Sequence, residues 1–239
     1  MTAPTHVGDD PDNSGPIHRI SWEAYEHFNP LLDYVWKTPR FLEREAKLET
    51  QKLGAYVGEI RAMRFMSEFQ NILGYFPVFM AHSNLLVAIS LFEAYALRLC
   101  RLLEESTAVE LKKAKGMGRS KIFDYFGMIG ISRESLDHAD VVDTAHFSRN
   151  IVMHAGGAVP RVKDRDKIKT IVGERLYVSD DRRQKRSDDY NPEKISIVSE
   201  NGSEYLSFDN MYSWIATAHL RNYFIELCDE GIRITMPAQ

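Results

Sequence analysis

The sequence predicts a mainly helical protein with one small β-hairpin before its last helix. Most of the chain places apolar residues at three- and four-residue steps, the spacing of one face of an α-helix. Clear alternation of apolar and polar residues occurs near residues 195–208. That stretch is centred on Asn201-Gly202, a dipeptide that favours a two-residue hairpin turn.

Length and composition are those of an ordinary folded protein. The chain has 239 residues, of which 44% are hydrophobic and 27% charged, so it can bury a core without disulfides or metal ions. The 34 acidic and 30 basic residues leave a formal net charge of −4. That balance excludes a protein that coats DNA by its overall charge, so any contact with nucleic acid must use a local patch.

The cysteines and the N-terminal segment indicate a cytoplasmic protein. Cys100 and Cys228 each lie in an apolar helical stretch, and no Cys or His pair has the spacing of a zinc site. Buried free thiols suit a reducing compartment. Residues 1–20 lack the basic start and apolar core of a signal peptide, and we expect them to form a disordered tail.

One stretch, residues 69–92, contains no Asp, Glu, Lys or Arg. Its length would allow a membrane span, which needs about 20 mostly apolar residues. However, Pro77 and the tripeptide His82-Ser83-Asn84 interrupt it, and Glu93 follows at once. We therefore expect no membrane contact. Residues 85–103 are apolar on nearly every side, which predicts a central helix capped by Ser83 or Asn84.

The remaining helices are predicted from apolar spacing and from Pro, Gly and capping residues. A first helix covers residues 21–37, in which Pro30 marks a break or the first turn of a second piece. A second begins at Pro39, runs for about 30 residues or more and bends near Gly54.

The segment beyond Pro160 is more polar than the rest of the chain. Its pattern predicts a strand near residues 168–172 or 176–178. After the hairpin, Asp209 caps the last helix. We expect a single domain over residues 21–235.

A helix over residues 133–154, capped at Ser132 and stopped by the glycine pair that follows it, carries the most informative side chains. Arg149 is a permanent cation, Asn150 both donates and accepts hydrogen bonds, and His154 is of the one residue type whose side chain titrates near neutrality. Asn150 and His154 are four residues apart and share a helix face. Arg149 lies about 140° from His154, so its long side chain or a loosened last turn must bring the two together.

This arrangement resembles the HEPN superfamily of helical-bundle domains. The family signature is an Arg, a polar residue, three or four variable positions and a His, which Arg149, Asn150 and His154 match. Glu93, within the apolar helix, matches the acidic residue that many members place on an earlier core helix. The resemblance extends over residues 80–230 and implies a HEPN-like bundle with the hairpin inserted before the C-terminal helix.

The resemblance implies a metal-independent endoribonuclease that cleaves single-stranded RNA without a cofactor. The 2′-OH of RNA would attack the adjacent phosphate, His154 would transfer protons, and Arg149, next to Asn150, would stabilise the phosphoryl oxygens. Because the motif supplies one His, the family implies a homodimer with both motifs in one cleft. It also implies a toxin or phage-defence effector, with an antitoxin or another defence protein as partner.

One subtype of the family is excluded by a single position. The HEPN toxins paired with nucleotidyltransferase antitoxins carry a Tyr two places after the His, and Gly156 stands there in this chain. Inactivation by nucleotide transfer onto that Tyr therefore cannot operate.

Glu93 needs a partner, because an isolated carboxylate in an apolar helix is costly to bury. The resemblance favours Arg149, whose guanidinium Glu93 would hold in place. The alternatives are a Glu93 that faces solvent, or one that pairs with Arg98 or Arg61.

Two basic stretches could form a track for phosphate groups. Residues 111–123 contain five Lys or Arg and no acid, and residues 161–186 contain ten basic and five acidic residues. Solvated loops are an equally simple interpretation. The residues considered for RNA binding are Lys112, Lys113, Lys115, Arg119, Lys121, Arg161 and Lys163.

Two other functions remain open. One is a non-catalytic HEPN-like module for dimerisation or nucleotide binding. The other is a metal-dependent hydrolase, since Asp140, Asp143 and His146 recur one helical turn apart. The simpler interpretation of that cluster is an acidic, solvated helix start, which the helix dipole favours, and we expect no metal.

Overall fold

The computed structural model describes residues 15–172, 195–200 and 202–236. Within these ranges it confirms a mainly helical protein with a two-stranded antiparallel hairpin before the final helix. The elements in chain order are α1 (Pro16–Leu53), α2 (Gly58–Arg64), α3 (Phe76–Thr107), α4 (Arg119–Met128), α5 (Ala139–Ala155), α6 (Arg165–Val172), β1 (Ile195–Glu200), β2 (Ser203–Phe208) and α7 (Asn210–Thr235). Two π-helical segments, Phe65–Phe69 and Asn71–Tyr75, lie between α2 and α3.

Helix α1 is longer than the two helices predicted for this part of the chain. It begins at Pro16, so residues 16–20 are helical, whereas residues 1–14 of the predicted tail lie outside the described ranges. The predicted breaks at Pro30 and Pro39 are wrong, because the helix runs through both. Its buried stripe continues past Pro30 through Leu32 and Val35, and this packing outweighs the intrinsic cost of an interior proline, about 3 kcal/mol.

The predicted bend near Gly54 is a helix end. Helix α1 stops at Leu53, and the Gly54 amide donates to the Gln51 carbonyl in the turn that follows. A new helix, α2, begins at Gly58, which has a φ of +64°. Glycine adopts this left-handed conformation without the steric cost that a Cβ would add.

The central helix is confirmed, but its predicted cap is wrong. Helix α3 begins at Phe76 and contains both Ser83 and Asn84. Asn84 is buried, and its amide donates to Asn210 Oδ1 at 2.7 Å. Its polarity therefore serves a contact between helices and not a helix start.

One helical stretch, Gly58–Thr107, is long and apolar enough to cross a membrane by length and composition alone. A third of its most apolar window is buried inside the protein. The core helix of a soluble protein meets the same criterion, so this finding is weak evidence for a membrane span.

The hairpin forms over the residues predicted for it. Its register pairs Ile195 with Phe208 at the open end and Glu200 with Ser203 at the turn. Gly202 in the turn has a φ of +76°, as a two-residue turn of this kind requires.

A second predicted strand, over residues 168–172, is instead part of helix α6. Ile168 and Ile171 are both buried, and their three-residue spacing places them on one face of a helix. The alternative strand at 176–178 lies outside the described residues.

The chain divides into two compact units. Unit 1 comprises Met1–Pro30, Ile89–Ala139 and His219–Gln239, and unit 2 comprises Leu31–Ala88 and Asp140–Ala218. The core of unit 1 is aromatic: the Phe92 ring packs against the rings of Phe123 and Tyr223, with centroids 6.4 Å and 5.9 Å away. Such ring pairs add to the stabilisation that burial alone provides.

Both cysteines are buried free thiols in unit 1, as predicted. Burial raises the pKa of Cys100 to about 12 and raises that of Cys228 as well. Since the thiolate is the reactive form, neither thiol is a nucleophile near neutral pH.

The core of unit 2 brings α1, α3, α5, the hairpin and the start of α7 together. Ser213 Oγ donates to the Ala81 carbonyl at 2.7 Å, and Ser148 and Tyr212 share a buried hydrogen bond at 3.2 Å. Asp209 Oδ1 accepts from the Tyr212 amide at 3.0 Å, which confirms the predicted cap of α7.

Unit 2 also contains a histidine that burial keeps neutral. The ring of His82 lies against Phe208, with 4.5 Å between centroids, and its Nε2 has no hydrogen-bond partner among the described residues. Burial lowers the pKa of His82 to about 4 from the usual 6.5. Charging this ring in the folded protein is therefore unfavourable.

We expect His82 to make the protein less stable in acid. As the pH falls below 6.5, the unfolded chain binds a proton at His82 before the folded protein does. The contribution of His82 to the free energy of unfolding is therefore fully present above that pH and is lost progressively down to about pH 4. Within this range the free energy of unfolding falls by about 1.4 kcal/mol per pH unit. His82→Phe keeps the ring contact without the titrating group. In urea unfolding between about pH 7 and pH 4.5, its free energy of unfolding should therefore fall less with decreasing pH than that of the parent. Equal slopes in the two proteins would contradict the prediction.

Candidate functional site

The helix that carries the motif starts later than predicted. Residues Arg133–Ser135 form a 3₁₀ turn, and α5 begins only at Ala139. Ser132 has extended backbone angles, and its side chain makes no capping hydrogen bond.

The start of α5 is also not the solvated acidic end that was expected. Asp140 and His146 are buried, each with 1% of its surface exposed. Among the residues that the structure describes, no three His, Cys, Asp or Glu side chains converge as metal ligands. The grouping of Asp140, Asp143 and His146 is therefore a largely buried polar face of the helix.

The end of α5 is built as predicted, by two glycines. Gly156 and Gly157 have φ values of +60° and +81°, and the Gly157 amide donates to the Ile151 carbonyl at 3.1 Å. The Gly157 carbonyl then accepts from the Leu206 amide of β2 at 2.8 Å. The hairpin thus holds the last turn of α5 in place.

The three motif residues lie on these last turns and reach the protein surface. Asn150 and His154 are exposed, and Arg149 is half-buried. Arg149 Nη1 donates to Asn150 Oδ1 at 3.0 Å. The motif is therefore accessible from solvent, as a site for a polymer substrate must be.

This arrangement suits chemistry on an anion. The amide of Asn150 is a neutral acceptor, so its contact orients the guanidinium without neutralising it. A guanidinium so placed can donate two hydrogen bonds to a phosphate group. The exposed ring of His154 can accept or release a proton at a bound substrate.

The predicted role of Glu93 stays a prediction. Glu93 is half-buried on α3 in unit 1, whereas Arg149 belongs to unit 2. Of the two alternative partners of Glu93, Arg98 pairs with Glu23, at 2.6 Å.

The predicted RNA-binding residues fall into two groups. Lys112, Lys113, Lys115, Arg119 and Lys121 precede or begin α4 in unit 1, and Arg161 and Lys163 follow α5 in unit 2. In the first group, Lys112 and Lys113 lie 2.9 Å and 3.9 Å from Glu110, and the guanidinium of Arg119 lies over Phe123. The second group is exposed directly after the motif helix, and the rest of that stretch, 173–186, lies outside the described residues.

Unit 2 also contains an apolar groove that sequence reasoning missed. It has a volume of about 500 Å³ and is walled by Trp36 and Trp214, whose ring centroids are 5.6 Å apart. Ile72 and Leu73 of the second π-helical segment also line it. No local pattern could reveal it, because its walls come from α1, the π-helical segment and α7.

Comparisons with protein-family models, curated proteins and solved structures found no match. The function is therefore inferred from the residues and geometry of this chain.

Proposed function

We propose that the protein is a metal-independent endoribonuclease whose site includes Arg149, Asn150 and His154. The observation that carries this proposal is the exposure of the motif: His154 and Asn150 are solvent-exposed, and Asn150 orients the guanidinium of Arg149. The resemblance to the HEPN signature supports the same chemistry. The toxin or defence role and the cytoplasmic location are further expectations from the sequence.

The reaction needs only these residue types and RNA. The 2′-OH loses its proton to a neutral histidine, its oxygen bonds to the adjacent phosphorus, and the bond from phosphorus to the 5′ oxygen breaks. A protonated histidine gives the leaving oxygen its proton, and Arg149 stabilises the negative charge on the phosphoryl oxygens. The products are a 2′,3′-cyclic phosphate and a 5′-hydroxyl end.

A homodimer would supply the second histidine. We propose that two copies meet about a two-fold axis near the end of α5, so that each His154 faces the same cleft. Sedimentation at micromolar concentration should give the mass of a dimer, and a monomer that cleaves RNA with a single histidine would contradict this part of the proposal.

The test of the function is an RNA cleavage assay in EDTA. A labelled single-stranded RNA should be cut to fragments ending in a 2′,3′-cyclic phosphate, and the DNA of the same sequence should stay intact because it lacks the 2′-OH. Activity that disappears in EDTA and returns with a divalent ion would contradict the proposal.

A second candidate is a binding module without catalysis. It is favoured by the apolar side chains exposed along residues 57–79, among them Val57 at 82%, Met63 at 72% and Phe79 at 61%. Exposed apolar surface on this scale is typical of a contact with another molecule. A dimer that binds RNA without cutting it would favour this function.

A further inference from the structure

A second arginine, Arg221 of α7 in unit 1, is held by neutral groups. Its Nη1 donates to Asn29 Oδ1 at 2.7 Å. Its Nε and Nη2 both donate to Asn222 Oδ1, at 3.2 Å and 3.1 Å. The guanidinium carbon lies 5.3 Å from the centre of the Tyr25 ring.

The guanidinium is thus positioned on three sides, yet its partners among the described residues are amide oxygens and a ring. Arg98 and Arg233 of the same unit instead pair with Glu23 and Glu230, each at 2.6 Å. Burial lowers the pKa of Arg221, the direction expected for a partly desolvated cation. Two of its five N–H groups remain for another acceptor.

The amide of Asn222 is itself fixed in orientation. Its oxygen faces Arg221, so its Nδ2 donates to His138 Nε2 at 3.1 Å. The other ring nitrogen of His138, Nδ1, lies 2.9 Å from Glu226. The Glu226 carboxylate is therefore engaged by His138, and no carboxylate of the described residues forms a salt bridge with Arg221.

An aromatic surface continues from the guanidinium along α1. Trp22, Tyr25 and Asn29 share one helix face, and the seven helical steps from Trp22 to Asn29 span about 10 Å. The rings of Trp22 and Tyr25 are stacked, with centroids 6.0 Å apart, and Trp22 is 38% exposed. The guanidinium carbon and the Trp22 ring centre are both within about 6 Å of the Tyr25 ring centre and so lie at most about 11 Å apart, a distance that an aromatic phosphate monoester can bridge when its ring stacks on Trp22.

We propose that this surface binds a phosphate monoester with an aromatic group. The phosphate would accept hydrogen bonds from Arg221, and the aromatic group would stack on Trp22. A fixed guanidinium provides the charge-assisted donors that phosphate requires, and an exposed indole is a good stacking surface. This site is separate in sequence from Arg149 and His154 and does not depend on the proposed ribonuclease activity.

The test is isothermal titration calorimetry with three probes: phenyl phosphate, inorganic phosphate and phenol. We expect phenyl phosphate to bind about tenfold more tightly than inorganic phosphate, because stacking adds to the ionic contact. Phenol, which lacks the phosphate, should bind more weakly than phenyl phosphate. Arg221→Gln should weaken phenyl phosphate binding at least about tenfold.

Trp22→Ala should reduce phenyl phosphate to the affinity of inorganic phosphate. The matched controls are Arg233→Gln, whose guanidinium pairs with Glu230, and Trp36→Ala, an exposed tryptophan of unit 2. Both should bind like the parent, as should His154→Ala, which separates this site from the proposed ribonuclease. The proposal is overturned if phenyl phosphate does not bind the parent in the millimolar range, or if either Arg221→Gln or Trp22→Ala leaves its affinity unchanged.

Discussion

His154→Ala should lower the rate of RNA cleavage by about 10²–10⁴-fold, the usual contribution of general acid–base catalysis. The loss should appear in kcat more than in KM, since proton transfer contributes to the transition state and little to binding. Because His154 is exposed at the end of α5, the variant should unfold at nearly the same temperature as the parent. Single-turnover cleavage of a labelled RNA and a thermal melt together measure both effects.

Arg149→Ala should reduce cleavage by a similar amount, about 10²–10³-fold, because the phosphoryl oxygens lose a fixed donor. Arg149→Lys keeps the charge without the planar pair of donors, so it should recover part of the activity. Met153→Ala is the matched control: Met153 lies on the same turn, is 53% exposed and has no proposed chemical role. Folded variants of His154 and Arg149 that cut RNA like the parent would show that the motif has no catalytic function.

The fold class follows from the sequence because its strongest signals are local. The hairpin depends on alternation around Asn201-Gly202, and β1 and β2 form over the predicted residues. The end of α5 depends on Gly156 and Gly157, whose positive φ values explain why glycine stands there. Signals of this kind are complete within a few residues and need no knowledge of the tertiary structure.

The helix boundaries that were wrong are those where packing overrides a local preference. Pro30 and Pro39 should interrupt α1, but the buried positions on either side keep the helix intact. Ser132 looks like a cap, yet α5 starts only at Ala139. Asn84 also looks like a cap and instead makes a buried contact with Asn210, 126 residues later in the chain.

The sequence could predict which residues form the candidate site, but it could not predict how exposed they are or what they contact. The motif residues Arg149, Asn150 and His154 could be chosen from their types and spacing, but their exposure depends on which face of α5 the unit buries. The Arg221 surface has no sequence signature, because Asn29 and Asn222 come from helices that are distant in the chain. The spacing of Trp22, Tyr25 and Asn29 indicates a shared face of α1, but it does not indicate the arginine that this face meets.

Among the variants proposed here, truncation of a side chain in the aromatic core of unit 1 should lower the free energy of unfolding most. Phe92 is 1% exposed and lies against Phe123 and Tyr223, so truncation would leave a cavity bordered by rigid rings. Rings of this size cannot move into the space without leaving their own contacts, and the cavity cost therefore adds to the lost burial.

We expect Phe92→Ala to lower the free energy of unfolding by about 3–5 kcal/mol, whereas Phe92→Leu, which fills most of the volume, should cost much less. The matched control is Phe79→Ala on the same helix, where the side chain is 61% exposed, and its effect should stay within about 0.5 kcal/mol. Urea denaturation followed by circular dichroism measures all three variants. Similar losses for Phe92→Ala and Phe79→Ala would mean that Phe92 is not a core residue in solution, because a buried ring and an exposed one cannot contribute equally to a packed interior.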